Sequence, residues 1–164
     1  MSMVIDDTNE RFILDTNIWL DWFVFAQAPD SAIAQLKQYI SQRRNNCQVL
    51  MTPAMWDAWA DVLGRVQFSI DPERQQALLR QTREIVQLVD TPPIPRQRIR
   101  CIDADDQMFI DAALNFSVSY LISKDRHLLK LRSRARPYHV WIGTPEDWLK
   151  REGDIRSTPS EKLV

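Results

Sequence analysis

Three times along this chain a short apolar run stops at a polar residue and helical spacing begins at once. Arg11-Phe12-Ile13-Leu14 ends in Asp15, and Ile18 to Ala28 then takes up the wider apolar spacing of a helix. Gln48-Val49-Leu50-Met51 runs into Thr52-Pro53, where threonine can cap and proline fits the first turn of a helix carrying Met55, Trp59, Val62 and Leu63 up to Gly64. Val118 to Ser123 leads into Asp125 and a basic helix expected over Arg126 to Arg134. Strands alternating with helices, without hairpin signals, predict an α/β chain with a central parallel sheet covered on both faces.

The remaining segments fit this scheme. Ile33, Leu36, Tyr39 and Ile40 mark one helix face after Ser31, and another helix is expected from Asp71-Pro72. Val86 to Val89 meets Thr91-Pro92-Pro93-Ile94-Pro95, which cannot be a regular interior element because proline fixes φ and lacks a donor. We read this as a loop within one domain. Asp106 to Asn115 has helical spacing, Tyr138 to Ile142 suits a last strand, and Pro145 to Lys150 a last helical turn. The expected organisation is a short arm over residues 1–10, one domain over 11–150 and a polar, loose tail over 151–164. At 164 residues with 45% hydrophobic side chains, one substantial core can form.

Composition narrows the functional classes. A net charge of -1 gives no global attraction to nucleic acid, so any such binding requires a local patch. Cys47 and Cys101 lie far apart in no ligand spacing, which fits a reducing compartment. The acidic start, with Asp6, Asp7 and Glu10, lacks the pattern of a secretory signal, and no stretch reaches the roughly 20 apolar residues of a membrane helix. A cytoplasmic protein without a membrane span is expected.

Asp15, the group Asp103/Asp105/Asp106, and Asp125 all fall at expected strand-to-helix junctions or helix starts. Neighbouring strands of a parallel sheet bring such junctions to one crevice. Carboxylates crowded there repel one another unless a cation is present, and an all-oxygen set suits Mg²⁺ or Mn²⁺. A phosphodiester is the natural substrate, since the metal can acidify a water and offset charge on phosphate oxygens. Taken singly, each aspartate is explained as well by helix capping, with Asp103 and Asp105 fitting that role best. The joint pattern favours the metal site.

These segments resemble the PIN-domain family, and within it the toxin components of type II toxin–antitoxin pairs. Arg11 to Asn17 is similar to the opening strand motif, Cys101 to Phe109 to the central Asp-Pro-Asp-Asp segment, and Tyr120 to Asp125 to the strand ending in Thr-x-Asp. The resemblance runs from about Arg11 to Leu149. It implies a Rossmann-like α/β/α sandwich, Mg²⁺- or Mn²⁺-dependent endoribonuclease activity on RNA, and inhibition by a small antitoxin protein. Carried over by position, Asp15, Asp106 and Asp125 would be the acidic metal-site residues, with Asn17 and Ser123 as hydrogen-bonding neighbours and Asp103 beside them. The family's helix glutamate falls on Ala58 in Pro53-Ala54-Met55-Trp56-Asp57-Ala58-Trp59-Ala60-Asp61. Asp61, three residues on, shares that helix face and is expected to substitute, whereas Asp57 lies about 100° around the helix.

Other features carry less. Arg96, Arg98 and Arg100 alternate, so an extended chain would point them one way toward RNA phosphates; a solvated edge explains them equally well. Lys124, Arg126, Lys130, Arg132, Arg134 and Arg136 form a second basic concentration that is either an RNA-facing patch or plain solvation. Trp19/Trp22 and Trp56/Trp59 are expected mainly in the core, although an antitoxin helix or a homodimer contact would also use tryptophan. His127 and His139 have no partner pattern and receive no chemistry. Two rival readings remain: a PIN-like module that has lost catalysis, motivated by Ala58, and a response-regulator-like domain binding one Mg²⁺. The second needs a phosphoacceptor aspartate and a lysine at set strand ends, and nothing marks them.

Overall fold

The computed structural model describes residues 9–157, with side chains to residue 153, so most of the expected N-terminal arm and the end of the expected tail lie outside the described residues. Five strands are present: β1 Glu10–Leu14, β2 Cys47–Met51, β3 Val86–Leu88, β4 Tyr120–Ile122 and β5 Trp141–Gly143. All neighbours pair in parallel, in the order β3-β2-β1-β4-β5. The helices are α1 Thr16–Phe23, α2 Ala32–Gln42, α3 Pro53–Leu63, α4 Pro72–Ile85, α5 Gln107–Asn115, α6 Arg126–Leu129, α7 Arg132–Ala135 and α8 Pro145–Ser157. The chain lays β2 and β3 to one side of β1, then returns to lay β4 and β5 on the other. β1 and β4 therefore flank the point where strand order reverses, which is where parallel sheets form their crevice.

Local chemistry explains the starts of α2, α3 and α4. Ser31, Thr52 and Asp71 accept the backbone N–H of Ala34, Met55 and Arg74 through their side chains, and Pro53 and Pro72 occupy first turns where their missing N–H costs nothing. The departures have equally local causes. α1 stops at Phe23 because the Phe25 amide turns back to the Leu20 carbonyl. The basic segment is two short helices, because the Leu131 amide closes tightly on Leu128 and both leucines are buried. The last strand starts at Trp141, since His139 has φ 62°, a left-handed conformation no strand accommodates.

α8 continues through Gly153 to Ser157, where a loose tail was expected. Its Glu152 is buried and accepts a hydrogen bond from the Tyr120 hydroxyl at 3.1 Å, which ties the helix to β4. The Pro-rich segment before α5 has no regular structure but is docked: Asn115 donates to the Pro93 carbonyl, and Gln107 bridges the Ile99 carbonyl and the Cys101 amide. Among the described residues no helix is long and apolar enough to cross a membrane.

The core is rich in aromatic rings. Phe12 at the centre of the sheet stacks on Tyr120 at 4.9 Å and meets Tyr39 and Trp148 edge-on. Trp19, Phe23 and Trp59 form another cluster between α1 and α3. Trp19, Trp22 and Trp59 are buried and Trp56 is half-buried, as core packing predicts. Trp59 is fully buried, and its Nε1–H donates to Thr82 Oγ1 at 3.0 Å, while the threonine hydroxyl donates to the Leu78 carbonyl. Thr82→Val keeps the shape but strands that indole N–H without an acceptor. The expected loss is about 1–3 kcal/mol of unfolding free energy, read by urea denaturation; a midpoint matching the wild type would show that α3 and α4 do not depend on this bond.

Candidate active site

The site is built on register. Leu14 of β1 pairs with Ile122 of β4, and the next residues along each strand are Asp15 and Ser123. The Asp15 amide donates to the Ile122 carbonyl at 3.0 Å, so the two chains are still joined where they leave the sheet. The Ser123 amide is held in turn by the Gly143 carbonyl of β5. A Cβ at Gly143 would lie 2.3 Å from the Trp141 indole, so a larger residue there would have to displace that ring.

Ser123 is wholly buried and its hydroxyl has two partners. It donates to Asp15 Oδ2 at 2.6 Å and accepts the Asp125 backbone N–H at 2.9 Å. One oxygen thus links the carboxylate after β1 to the loop after β4. Asp125 caps α6, its Oδ1 accepting the His127 amide at 2.7 Å. On the third side, Asp103 Oδ1 accepts the Asp105 amide at 2.9 Å and starts the tight turn over Ala104–Asp106, which sends Asp106 inward. Capping and clustering are both realised, because one carboxylate oxygen can cap while the other remains available.

Asp106 is 9% exposed, and its Oδ2 is buried without a hydrogen-bond partner. Burial, followed by the contact with and charge of Asp125 and then the charges of Asp15 and Asp103, pushes its pKa up to about 8. Burial also raises Asp15, outweighing the Ser123 hydroxyl, and the Asp125 charge adds to the rise. The amides of Thr16 and Asn17 lie near the Asp15 carboxylate and favour its charged form, although neither makes a full capping bond. Asp103, Asp106, Asp125 and His127 each place one ligand atom within 4.8 Å of the others. A buried, unpartnered carboxylate oxygen in such a group fits a hard divalent cation, which would supply the missing partner and reverse the repulsion.

Asp15, Ser123, Asp125, Asp106 and Asp103 are therefore brought together, and the Asn17 side chain is exposed. Asp61 does not join them. Its side chain is 75% exposed and pairs with Arg65 one turn along α3, and Asp57 is also exposed. The expected substitution by Asp61 is not what the structure has: its carboxylate pairs with Arg65 on the same helix instead. His127 is the residue that sequence reasoning missed. Its Nδ1 lies 3.6 Å from Asp125 and 3.9 Å from Asp103, and the only signal was its place two residues after an aspartate. Several of the basic residues have acidic partners: Lys124 pairs with Asp21, Arg98 with Asp111 and Arg132 with Asp147, leaving Arg96, Arg100, Arg126, Lys130, Arg134 and Arg136 exposed.

Comparison with known proteins agrees with this geometry. The family profile described as PIN domain matches residues 11–127, which contain every residue of the cluster. The fold is similar to that in the crystal structure of VapBC2 from Rickettsia felis bound to a DNA fragment from its promoter. That likeness has a TM-score of 0.54 at 15% identity over 81% of this chain and 98% of that one. It is also similar to PAE2754 from Pyrobaculum aerophilum, with a TM-score of 0.52 at 15% identity over 90% and 94% of the two chains. A comparison with curated proteins gave no match. With strand order, acidic crevice and family profile in agreement, the chain belongs to the PIN-domain family.

Proposed function

We propose that this protein is a divalent-metal-dependent endoribonuclease that hydrolyses RNA phosphodiester bonds as the toxin of a type II toxin–antitoxin pair. The observation that carries the metal and the chemistry is the buried Asp106 oxygen without a partner, set among Asp15, Asp103 and Asp125. The three-motif resemblance and the likeness to the VapBC2 fold support the toxin role and a small antitoxin as partner. The cytoplasm is the compartment in which such a reaction would meet its RNA.

Asp103, Asp106 and Asp125 would hold Mg²⁺ or Mn²⁺. When bound, the ion supplies Lewis acidity toward a phosphate oxygen and acidifies a water. The protein's own groups do the positioning. Ser123 fixes Asp15 by its Oδ2, which leaves Oδ1 as the atom that can take the proton of the attacking water. As that proton moves to Asp15, a bond forms from the water oxygen to phosphorus and the bond to the leaving ribose oxygen breaks, the leaving oxygen then gaining a proton from solvent. The exposed Arg96 and Arg100 are available to hold flanking phosphates without reading base identity.

One observation favours a second reading, a PIN module that binds RNA or a protein without cleaving it. Ala58 supplies no carboxylate and Asp61 turns to Arg65, so α3 adds none of the four clustered ligand atoms. Cleavage of RNA by the purified chain separates the two. Activity should vanish in EDTA and return with Mn²⁺, and Asp15→Asn should lower the rate by about 100-fold or more while the fold is retained. A wild-type chain that takes up the ion but leaves RNA intact would establish the non-cleaving module.

Asp106 makes metal uptake pH-dependent. Its proton must leave as the ion enters, so apparent affinity should rise with pH and level off above about 8. Without metal the sign for stability is opposite. The folded pKa of about 8 exceeds the ordinary 3.8, so the folded state binds more protons between those values and stability falls as pH rises through that window. Thermal melts at several pH values should show this slope, and Asp106→Asn should flatten it. By contrast, Asp61→Asn should change neither metal affinity nor cleavage, because its loss removes only an exposed pair; an appreciable drop in either would place α3 back in the site.

A further inference from the structure

We infer that His127 is a nitrogen ligand of the metal and biases this site toward Mn²⁺ over Mg²⁺. The inference rests on the metal reading above but concerns a residue outside the carboxylate set. Three features assign it. First, the capping bond at the start of α6 is made by the His127 backbone amide, so the imidazole is not needed to hold the helix. Second, Nδ1 faces two carboxylates at 3.6 and 3.9 Å, beyond the roughly 3.2 Å reach of a good N–H···O bond. The ring stands beside Asp125 and Asp103 without being consumed by either. Third, Asp106, nine-tenths buried, contributes an unpartnered Oδ2 to the same group, which marks the space between these side chains as wanting a cation.

The chemistry then separates the two ions. Mg²⁺ is hard, demands near-ideal octahedral geometry and prefers oxygen ligands and water. Mn²⁺ accepts the same carboxylates and gains more from an imidazole nitrogen, since nitrogen ligands favour transition metals. Where α3 offers Ala58 in place of a carboxylate, a site with three carboxylates and one imidazole is poorer in charge and richer in nitrogen. Both changes act against Mg²⁺.

The test uses the full chain, stripped of metal, and reads binding rather than cleavage. Pulsed electron paramagnetic resonance of the Mn²⁺-loaded protein should show ¹⁴N coupling from one imidazole. The chain has only two histidines, so His139→Ala should retain the signal and His127→Ala should abolish it. Titration should show Mn²⁺ affinity falling by about 10-fold or more in His127→Ala, with Mg²⁺ affinity nearly unchanged. His127→Gln, which keeps a polar side chain, gives the same reading should the alanine variant not fold. A nitrogen-silent wild-type spectrum, or full Mn²⁺ affinity in the variants, overturns the inference while leaving the carboxylate site intact. Failure of the wild type to bind either ion overturns it together with the metal mechanism.

Discussion

Like charges held together organise this molecule. Asp106 is pushed up to about 8 by burial and by the neighbouring Asp125, Asp15 and Asp103, and Asp15 is raised by burial with the Asp125 charge adding to it. Left to themselves they would separate. They cannot, because Asp15 leaves β1 still hydrogen-bonded to Ile122 of β4, and Ser123 bonds Asp15 with its proton and the Asp125 amide with its lone pair. The parallel sheet, made rigid by buried apolar strands, supplies the stability against which this repulsion is set.

On the proposed reading, metal affinity would be a property of the frame as well as of the ligands. Three of the four aspartates have a structural bond: Asp103 to the Asp105 amide, Asp125 to the His127 amide, Asp15 to the Ser123 hydroxyl. These bonds fix the carboxylates before any ion arrives, so little ordering remains to be done at binding. Among the four, Asp106 alone lacks such a bond, its Oδ2 being buried without a partner, and its pKa is pushed up to about 8. On the proposed metal reading it is the position at which proton and metal would compete.

Charge pairing also limits any nucleic-acid surface. The net charge of -1 left an RNA patch to local arrangement, and the fold commits Lys124, Arg98 and Arg132 to aspartates on other elements. Lys124 is adjacent in sequence to Asp125, yet it reaches back to Asp21 of α1, bracing the loop that carries the capping aspartate. Basic residues near a crevice thus divide into those that hold its walls and those, such as Arg96 and Arg100, that stay exposed.

The parallel α/β architecture was legible from residues alone because it depends on local signals: apolar runs of strand length, caps at Ser31, Thr52 and Asp71, prolines at first turns. The meeting of Asp15 and Asp125 follows from their places just after β1 and β4, where strand order reverses, whereas Asp106 follows no strand and reaches them by the tight turn over Ala104–Asp106. Boundaries set by backbone closure were not legible: the end of α1 at Phe23, the break between α6 and α7, and the left-handed His139. Tertiary contact alone decided the rest. Lys124 was drawn to Asp21, and α8 ran past Gly153 with Glu152 buried under the Tyr120 hydroxyl. His127 entered the acidic group for the same reason: which side chains share a few ångströms is set by chain segments distant in sequence, and no periodicity encodes it.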